Sequence, residues 1–427
     1  MDTTGTKISL ADLQGIVGEE HAWEAASEDA VDGIRPSFVV EPGSIEEASE
    51  LHQLADSEGL SIAPRGSGTK MLLGNPPSAL DLIVSTVRMN EVIEHVPGDQ
   101  IVRVQAGIKL ETLQEQLADS DQILGIDPAE KGATIGGIIA TNSSGPRRLR
   151  YGTIRDLIIG ITVVLANGTV AKAGGKVVKN VAGYDLSKLF TGSLGTIGLI
   201  ATANFRLHPR PEAARTVAVE LSNTKEVGEA AQAIMHSQIV SSALELYWNE
   251  DTRLLTLLIE GIPSAVEAQA ETASFLFKPF GEVHALSDEE IPYLGPLTPP
   301  DTSEAEDGVV LKIGAPPAEL AGVLDSVLRA CERREVTPHI TSHAANGITL
   351  VGLSGGGEEA QVRVIEELRE IWVRRGGSLV VQKAPPSIKK RVDVWGPAGD
   401  YLGLTRRVKE KFDPRGVLNP GRFLGGI

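Results

Sequence analysis

Glycine and other small residues crowd one stretch of this 427-residue chain at a density that an ordinary packed core does not need. From Asp127 the sequence reads D-P-A-E-K-G-A-T-I-G-G-I-I-A-T-N-S-S-G, then R-Y-G-T-I-R-D, then K-N-V-A-G-Y-D-L-S-K-L-F-T-G-S-L-G-T-I-G-L-I. Gly132, Gly136, Gly137, Gly145, Gly152, Gly183, Gly192, Gly195 and Gly198 all fall in it. Glycine costs entropy in regular structure, so such clustering marks backbone that bends sharply or lies against something large. A bulky planar cofactor carrying a pyrophosphate fits that demand. A second signal is P-R-G-S-G-T-K at Pro64–Lys70, directly after the strand-like run Leu60–Pro64. Gly66 and Gly68 let successive backbone N–H groups converge, and Ser67 and Thr69 add hydroxyl donors. Taken alone, such a pentamer is also an ordinary tight turn. No G-x-G-x-x-G opens a helix with an acidic residue about 20 positions later, so a nicotinamide site is not indicated.

The bulk composition narrows the class. Hydrophobic residues make up 41% and charged residues 23% of the chain, ordinary values for a globular protein of a length that divides into two domains. The net charge of −17 repels nucleic acid and anionic membranes, so neither is expected as a direct partner. An anionic substrate would need a local basic pocket. Cys331 is the one cysteine, which rules out an intrachain disulfide and a cysteine-ligated iron–sulfur cluster. Any iron–sulfur relay must therefore sit on another chain. Cys331 itself falls in the helical pattern L-D-S-V-L-R-A-C-E-R-R and reads as a buried structural thiol. The N-terminus carries no signal-peptide pattern, and no run reaches the ~18–20 apolar residues of a span. The chain is expected in the cytoplasm, with any contact to the inner membrane peripheral and made through partners.

Periodicity gives an α+β organisation. Residues 1–35 read as a helical lead-in and Pro36–Val40 as a short strand. Ser44 and Glu47 then form a capping signal for a helix that Gly59 closes. Asp81–Ser85 and Ile101–Gln105 are strands, and Ile108–Leu117 is a helix. Thr134–Asn142 suits a buried helix packed close to another backbone. Leu157–Leu165 and Val170–Ala173 form a hairpin about Ala166–Thr169, and Leu199–Leu207 is a further strand. Pro209–Pro211 marks a boundary. Beyond it two βαββα-like halves follow, from Thr216 to Phe277 and from Val309 to Val381. Asp288–Asp307, acidic and proline-rich, reads as an exposed connection between them.

Taken together with F-D-P-R-G-V-L-N-P-G-R-F at Phe412–Phe423, these motifs resemble the FAD-binding oxidoreductases of the vanillyl-alcohol oxidase type. Within them the chain is most similar to the FAD-binding subunits of bacterial glycolate oxidases. The resemblance is strong for Phe38–Leu207 and the tail, and weak for about 211–380. It implies a two-subdomain PCMH-type FAD-binding domain with an inserted ferredoxin-like α/β cap. The expected division is 1–212 for FAD binding, 213–384 for the cap, and 385–427 for a segment returning to the FAD domain.

The resemblance also implies roles. Pro64, Arg65, Gly66, Ser67, Gly68 and Thr69 would hold the pyrophosphate. Asp127, Pro128, Thr134, Gly136, Gly137, Asn142 and Gly145 would line the flavin, although close helix packing demands small residues too. Tyr151, in a loop with Arg150 and Asp156, would approach the cofactor. Gly183, Tyr184, Gly195, Gly198 and Ile200 belong to the adenine segment, with backbone groups of Gly198 and Ile200 reading the adenine edge. Asn419 would lie by the flavin or the substrate, or form an Asx-turn before Pro420. Covalent relatives usually place a histidine in the loop where Lys70 follows Thr69, so FAD is expected to be noncovalent. Many catalytic relatives carry a glutamate where Leu194 stands.

The implied reaction is oxidation of glycolate or a D-2-hydroxy acid, with electrons passed to a partner iron–sulfur subunit and a paralogous FAD subunit also in the complex. A stand-alone FAD-dependent alcohol oxidoreductase, or a noncatalytic FAD-binding assembly subunit, are the alternatives. Such chemistry needs a cation for the carboxylate, a base for the hydroxyl proton and an α-hydrogen facing the flavin. Metal-assisted relatives use a histidine pair with a glutamate in the cap. Here His339 and His343 sit in H-I-T-S-H-A-A-N-G-I-T-L, a strand-like segment where i and i+4 lie about 13 Å apart. The relatives' H-x-G-D-G-N-x-H pattern is missing, and no metal is expected. His343 reads as the base or as a plain sheet histidine. Lys383, Lys389, Lys390 and Arg391 read as a solvated basic face, with Lys383 the candidate carboxylate clamp.

Overall fold

The computed structural model describes residues 8–175, 184–286 and 308–427. Local signals place the first helix of the nucleotide-binding part as the sequence indicates. The Ser44 hydroxyl accepts from the Glu47 N–H, the Glu47 carboxylate accepts from the Gly43 N–H at 2.8 Å, and Gly59 ends helix Ile45–Glu58 in the left-handed region. That helix crosses over a four-stranded sheet ordered Ala22–Glu24, Phe38–Val40, Leu82–Ser85, Ile62–Arg65, whose last three strands are parallel. A five-stranded antiparallel sheet follows, ordered Val92–Val96, Ile101–Gln105, Leu199–Arg206, Ile158–Val164, Val170–Gly174. Helix Ile135–Thr141 packs beside this second sheet, with Thr134 as its N-cap and Asn142 as its left-handed C-cap.

Three short strands depart from the expected pattern. Ala22–Glu24 lies inside the supposed helical lead-in, and Val92–Val96 and Val283–Leu286 carry no strand signal of their own. Each is the edge of its sheet. An edge strand packs on one side only and tolerates charge, so its composition does not declare it.

The third sheet has eight antiparallel strands, ordered Val283–Leu286, Ala213–Glu220, Arg253–Gly261, Ser241–Trp248, Val336–His343, Ile348–Gly355, Val309–Gly314, Ser378–Lys383. By chain order each half reads 4-1-3-2, the ferredoxin-like arrangement, and the halves join along Ser241–Trp248 and Val336–His343. The acidic connection expected at Asp288–Asp307 lies outside the described residues.

Period-2 alternation gives this sheet two unlike faces. Leu244, Leu246, Trp248, Leu255, Leu257, Ile340, Val351 and Leu311 join one apolar core with helices Thr224–Met235, Pro263–Phe277, Leu320–Glu332 and Gly357–Arg374. Cys331 is fully buried there, and burial pushes its thiol up to about 12. The alternate residues, among them Glu245, Tyr247, Thr256, Thr341, His343 and Lys312, fall on the opposite face.

The chain after Lys383 has two allegiances. Ala384, Ile388, Val392 and Val394 still belong to the core of the eight-stranded sheet, whereas Val417 and Leu418 pack with Leu51, Ile62 and Leu82. The Ile62 N–H donates to Val417 O and the Asn419 N–H to Ile62 O, both at 2.7 Å. Lys389 corrects the expected solvated basic face. Its side chain is 0% exposed, and its ammonium donates to both Asp32 oxygens, at 2.7 and 2.9 Å, and to Leu72 O at 2.6 Å.

Candidate active site

One groove gathers most of the residues singled out for phosphate and ring binding. Pro64, Arg65, Gly66, Ser67, Gly68, Thr69, Thr134, Gly136, Gly137, Gly195, Gly198, Ile200 and Asn419 line a space of about 810 Å³, open mouth included. The walls are backbone and small side chains because nothing larger fits. A Cβ on Gly66 would stand 1.9 Å from Thr134 Oγ1, and one on Gly195, which has φ +69°, would stand 2.8 Å from Pro64 Cγ.

Other candidates stand outside that lining. Asn142 caps its helix, and Tyr151 packs against Gly125 and the His208 ring, 5.0 Å away. Pro128 is buried, and Tyr184 is exposed. Gly145 approaches the Asp127 carbonyl so closely that a Cβ would meet it at 1.7 Å. Gly183 lies outside the described residues. Arg150 and Asp156 serve local structure. Arg150 bonds to Ser242 Oγ at 3.2 Å and to Glu260 O, and Asp156 caps its own short helix through Thr153.

The charges of the groove differ from a simple cationic loop. Arg65 is tied to Asp29 at 2.7 Å and Lys70 to Glu130 at 2.9 Å. The backbone and hydroxyl groups of the loop are therefore its free donors. Arg422, missed by sequence reading although it closes the quoted tail motif, is the groove's cation without a carboxylate contact among the described residues. It donates to Leu73 O at 2.6 Å and to Met71 O, yet its buried Nε has no partner. Burial lowers its guanidinium to about 10. Asn419 donates to Leu194 O at 2.5 Å, while its buried Oδ1 is unpaired. Unsatisfied buried polar atoms are costly, and these two at a small-residue groove fit a polar, anionic cofactor. Leu194, where a glutamate stands in many relatives, holds φ +51° and also lines the groove.

A second cluster adjoins the groove through the polar face of the large sheet. His343 Nδ1 and Glu245 Oε2 are 2.8 Å apart, and both side chains are buried. Burial pushes both towards neutrality. It raises the Glu245 carboxyl well above its usual range, and with Arg148 it lowers the His343 imidazole to about 3. Burial also raises Asp127 to about 7, against the Arg147 charge. Lys312 connects the two regions. Its ammonium is pushed down to about 8 by burial, then by Arg148 and by Lys70 of the groove, with Glu130 opposing.

Arg148 and Lys312 make no ion pair with a carboxylate among the described residues. Arg148 Nη2 donates to Ser144 O at 2.6 Å, leaving its buried Nε without a partner. Thr341 Oγ1, on the same sheet face, is also buried and unpaired. Two cations without an ion pair, an orphan hydroxyl and a buried histidine are thus grouped at the polar face of the large sheet, a set of groups suited to a small anion.

Glu245, Lys312 and Arg148 escaped sequence reading. Alternation of apolar and polar residues in L-E-L-Y-W and V-V-L-K-I was the available signal, since each puts a charge on the face away from the helices. Lys383 ends its strand opposite Val310. Among the described residues no three of His, Cys, Asp and Glu come together to hold a metal.

Residues 36–174 match the FAD binding domain model, and residues 304–423 match the model of the FAD linked oxidases, C-terminal domain. Over 425 residues the chain is 28% identical to glycolate oxidase subunit GlcD of Bacillus subtilis (strain 168), covering 91% of this chain and 89% of that protein. It is 25% identical over 438 residues to D-2-hydroxyglutarate dehydrogenase of Xanthomonas citri pv. viticola, covering 91% and 89%. In fold it matches 4-ethylphenol oxidase from Gulosibacter chungangensis with a TM-score of 0.77 over 97% of this chain and 96% of that one, at 15% identity.

Proposed function

We propose that this chain, whose residues 36–174 and 304–423 match an FAD binding domain and the C-terminal domain of FAD linked oxidases, oxidises a small 2-hydroxy acid to the 2-keto acid. The carrying observation is the buried Glu245–His343 pair with the charges of Arg148 and Lys312 acting on it, Lys312 in turn sensing Lys70 and Glu130 of the groove. The named activities of the relatives, on glycolate and D-2-hydroxyglutarate, point to the same substrate class. Residues 1–212 with the tail would hold FAD and 213–384 would cover it. Bound, FAD supplies a two-electron acceptor for the substrate's α-hydrogen.

The protein's own part is binding and proton handling. Arg148 and Lys312 hold the carboxylate, and Thr341 Oγ1 offers a hydrogen bond to it. Glu245 fixes the imidazole through Nδ1; in the tautomer whose Nδ1–H donates to the Glu245 carboxyl, His343 Nε2 is the ring's proton acceptor. At rest the imidazole is a weak base, first because it is buried and then because Arg148 and Lys312 oppose its protonation. An arriving carboxylate neutralises those charges and raises its basicity as the substrate hydroxyl comes into place. The two electrons then leave to an iron–sulfur subunit, since one cysteine cannot build a relay here.

Anaerobic titration with glycolate and D-lactate, followed by the visible spectrum, tests the reading; bleaching is the expected result. Failure of every 2-hydroxy acid to bleach the flavin would instead favour a noncatalytic assembly role. Lys312 also sets a pH limit. Its ammonium is charged below about 8 and neutral above, so kcat/KM for the acid should fall as pH rises through that value. Lys312→Arg should move this limb beyond the accessible range, and an unchanged limb would remove Lys312 from the carboxylate seat.

The linkage to FAD is proposed as noncovalent. Covalent attachment needs a His, Cys or Tyr at the ring, and none is among the groove-lining residues. Acid precipitation should release intact FAD into the supernatant. Yellow colour retained in the pellet, with a protein mass raised by one FAD, would refute this.

A further inference from the structure

We propose that helix Leu402–Phe412 is the docking face for an acidic one-electron carrier protein that takes the electrons from the reduced flavin. The proposal rests on FAD-linked oxidation but not on the identity of the substrate.

The helix has an inner side bound to the groove wall and an outer side without partners. Lys409 Nζ donates to Thr196 O at 2.8 Å and to Leu418 O at 2.7 Å, and pairs with Asp413 at 2.6 Å. Phe412 meets the Phe190 ring edge-on at 5.7 Å, and Phe190 lies under Gly198 of the groove. Next to the helix, Trp395 Nε1 donates to the carbonyl of the groove residue Arg422 at 3.0 Å, and the Trp395 ring stands 5.2 Å from Phe423. Gly425, two residues further on, lies against Leu402, so this aromatic pair runs from the groove to the helix.

On the outer side Leu404, Arg407 and Lys411 recur at i, i+3 and i+7 and share one face. Leu404 and the adjoining Tyr401 are each 57% exposed. Arg406, Arg407 and Lys411 are exposed and make no ion pair among the described residues; Arg406 lies round the helix from Leu404, its Nη2 donating to Gly425 O at 3.4 Å, and Asp400 and Glu410 are the exposed carboxylates nearby in the chain. Three exposed cations on one short helix, two of them on the face of the exposed apolar groups, stand out on a chain of net charge −17. A basic patch on an otherwise acidic protein steers and orients an acidic partner. A protein is favoured over a membrane because two exposed large apolar side chains are too few to anchor an interfacial helix. The balance is simple: each hydroxy acid oxidised gives up two electrons and two protons, reducing two one-electron carriers and releasing the protons to solvent.

The test uses FAD-loaded protein reduced with dithionite, so a wrong substrate assignment cannot affect it. Two haem proteins of opposite surface charge serve as probes: the acidic soluble domain of cytochrome b5 and basic cytochrome c. Cytochrome b5 should be reduced faster, with a rate that falls as salt rises. The combined variant Arg406→Glu, Arg407→Glu, Lys411→Glu should lose this reduction at least about tenfold while a small dye is still reduced normally. Anisotropy of zinc-substituted cytochrome b5 should show a parallel loss of binding. If the charge reversal prevents folding, the Gln, Gln, Gln variant carries the same expectation at smaller amplitude. Equal rates for variant and parent, or a preference for cytochrome c, would overturn the proposal. So would sedimentation with phosphatidylserine vesicles that the variant abolishes, which would make the helix a membrane contact.

Discussion

His343→Asn protein is expected to bind FAD normally yet reduce it with 2-hydroxy acids about 10²–10⁴-fold more slowly, the range expected for loss of a general base. Asparagine can still bond to Glu245, so the buried carboxyl keeps a partner, but its amide cannot accept the hydroxyl proton. The measurement is anaerobic stopped-flow bleaching of the flavin over a range of substrate concentration. The loss should fall on the limiting rate and leave the half-saturating concentration nearly unchanged, because Arg148 and Lys312 still hold the carboxylate. Glu245→Gln should cost less and should shift the pH dependence, since it leaves the ring in place with a different partner. A limiting rate within a factor of a few of the parent in His343→Asn would return His343 to the role of a plain sheet histidine.

The largest effect on stability is expected where the tail meets the N-terminal part. Asp32→Ala leaves the Lys389 ammonium buried with Leu72 O as its one remaining contact among those described. Removing one partner of a buried pair costs about 3–5 kcal/mol. A denaturant melt should show this as a lower midpoint with an unchanged slope. Asp32→Asn combined with Lys389→Met removes both charges, and should recover most of the loss, because the pair itself contributes little beyond its own desolvation. An Asp32→Ala midpoint equal to the parent's would mean the tail is held by its apolar contacts alone.

The cofactor groove was legible in the sequence because its constraint is steric and local. Where segments must close tightly on one another around the groove, glycine is required at fixed positions, and Gly66, Gly136 and Gly195, pressed against Thr134, Ala106 and Pro64, appear as such in the primary structure. The proposed seat for the substrate was not legible, because it is assembled from separated strands. Lys312, Glu245, His343 and Arg148 lie far apart in sequence and meet only once the sheet is registered against the short helix Arg148–Tyr151. Lys389 misled for a related reason. A run of three basic residues looks solvated, and nothing local shows that Asp32, 357 positions away, draws the first of them into the interior. The missed edge strands are the same lesson at the level of the fold.

The join between the two ferredoxin-like halves has a consequence for the buried pair. Glu245 lies on the second strand of the first half and His343 on the second strand of the other, and the two are direct partners in register. Each half contributes one member of the pair, and neither could form it alone. A slip of one residue at that seam would turn His343 into the helix-covered core and put a neighbour in its place. The buried pair is thus a property of the junction, and it sits on the face that leaves the helix-covered interior of each half undisturbed.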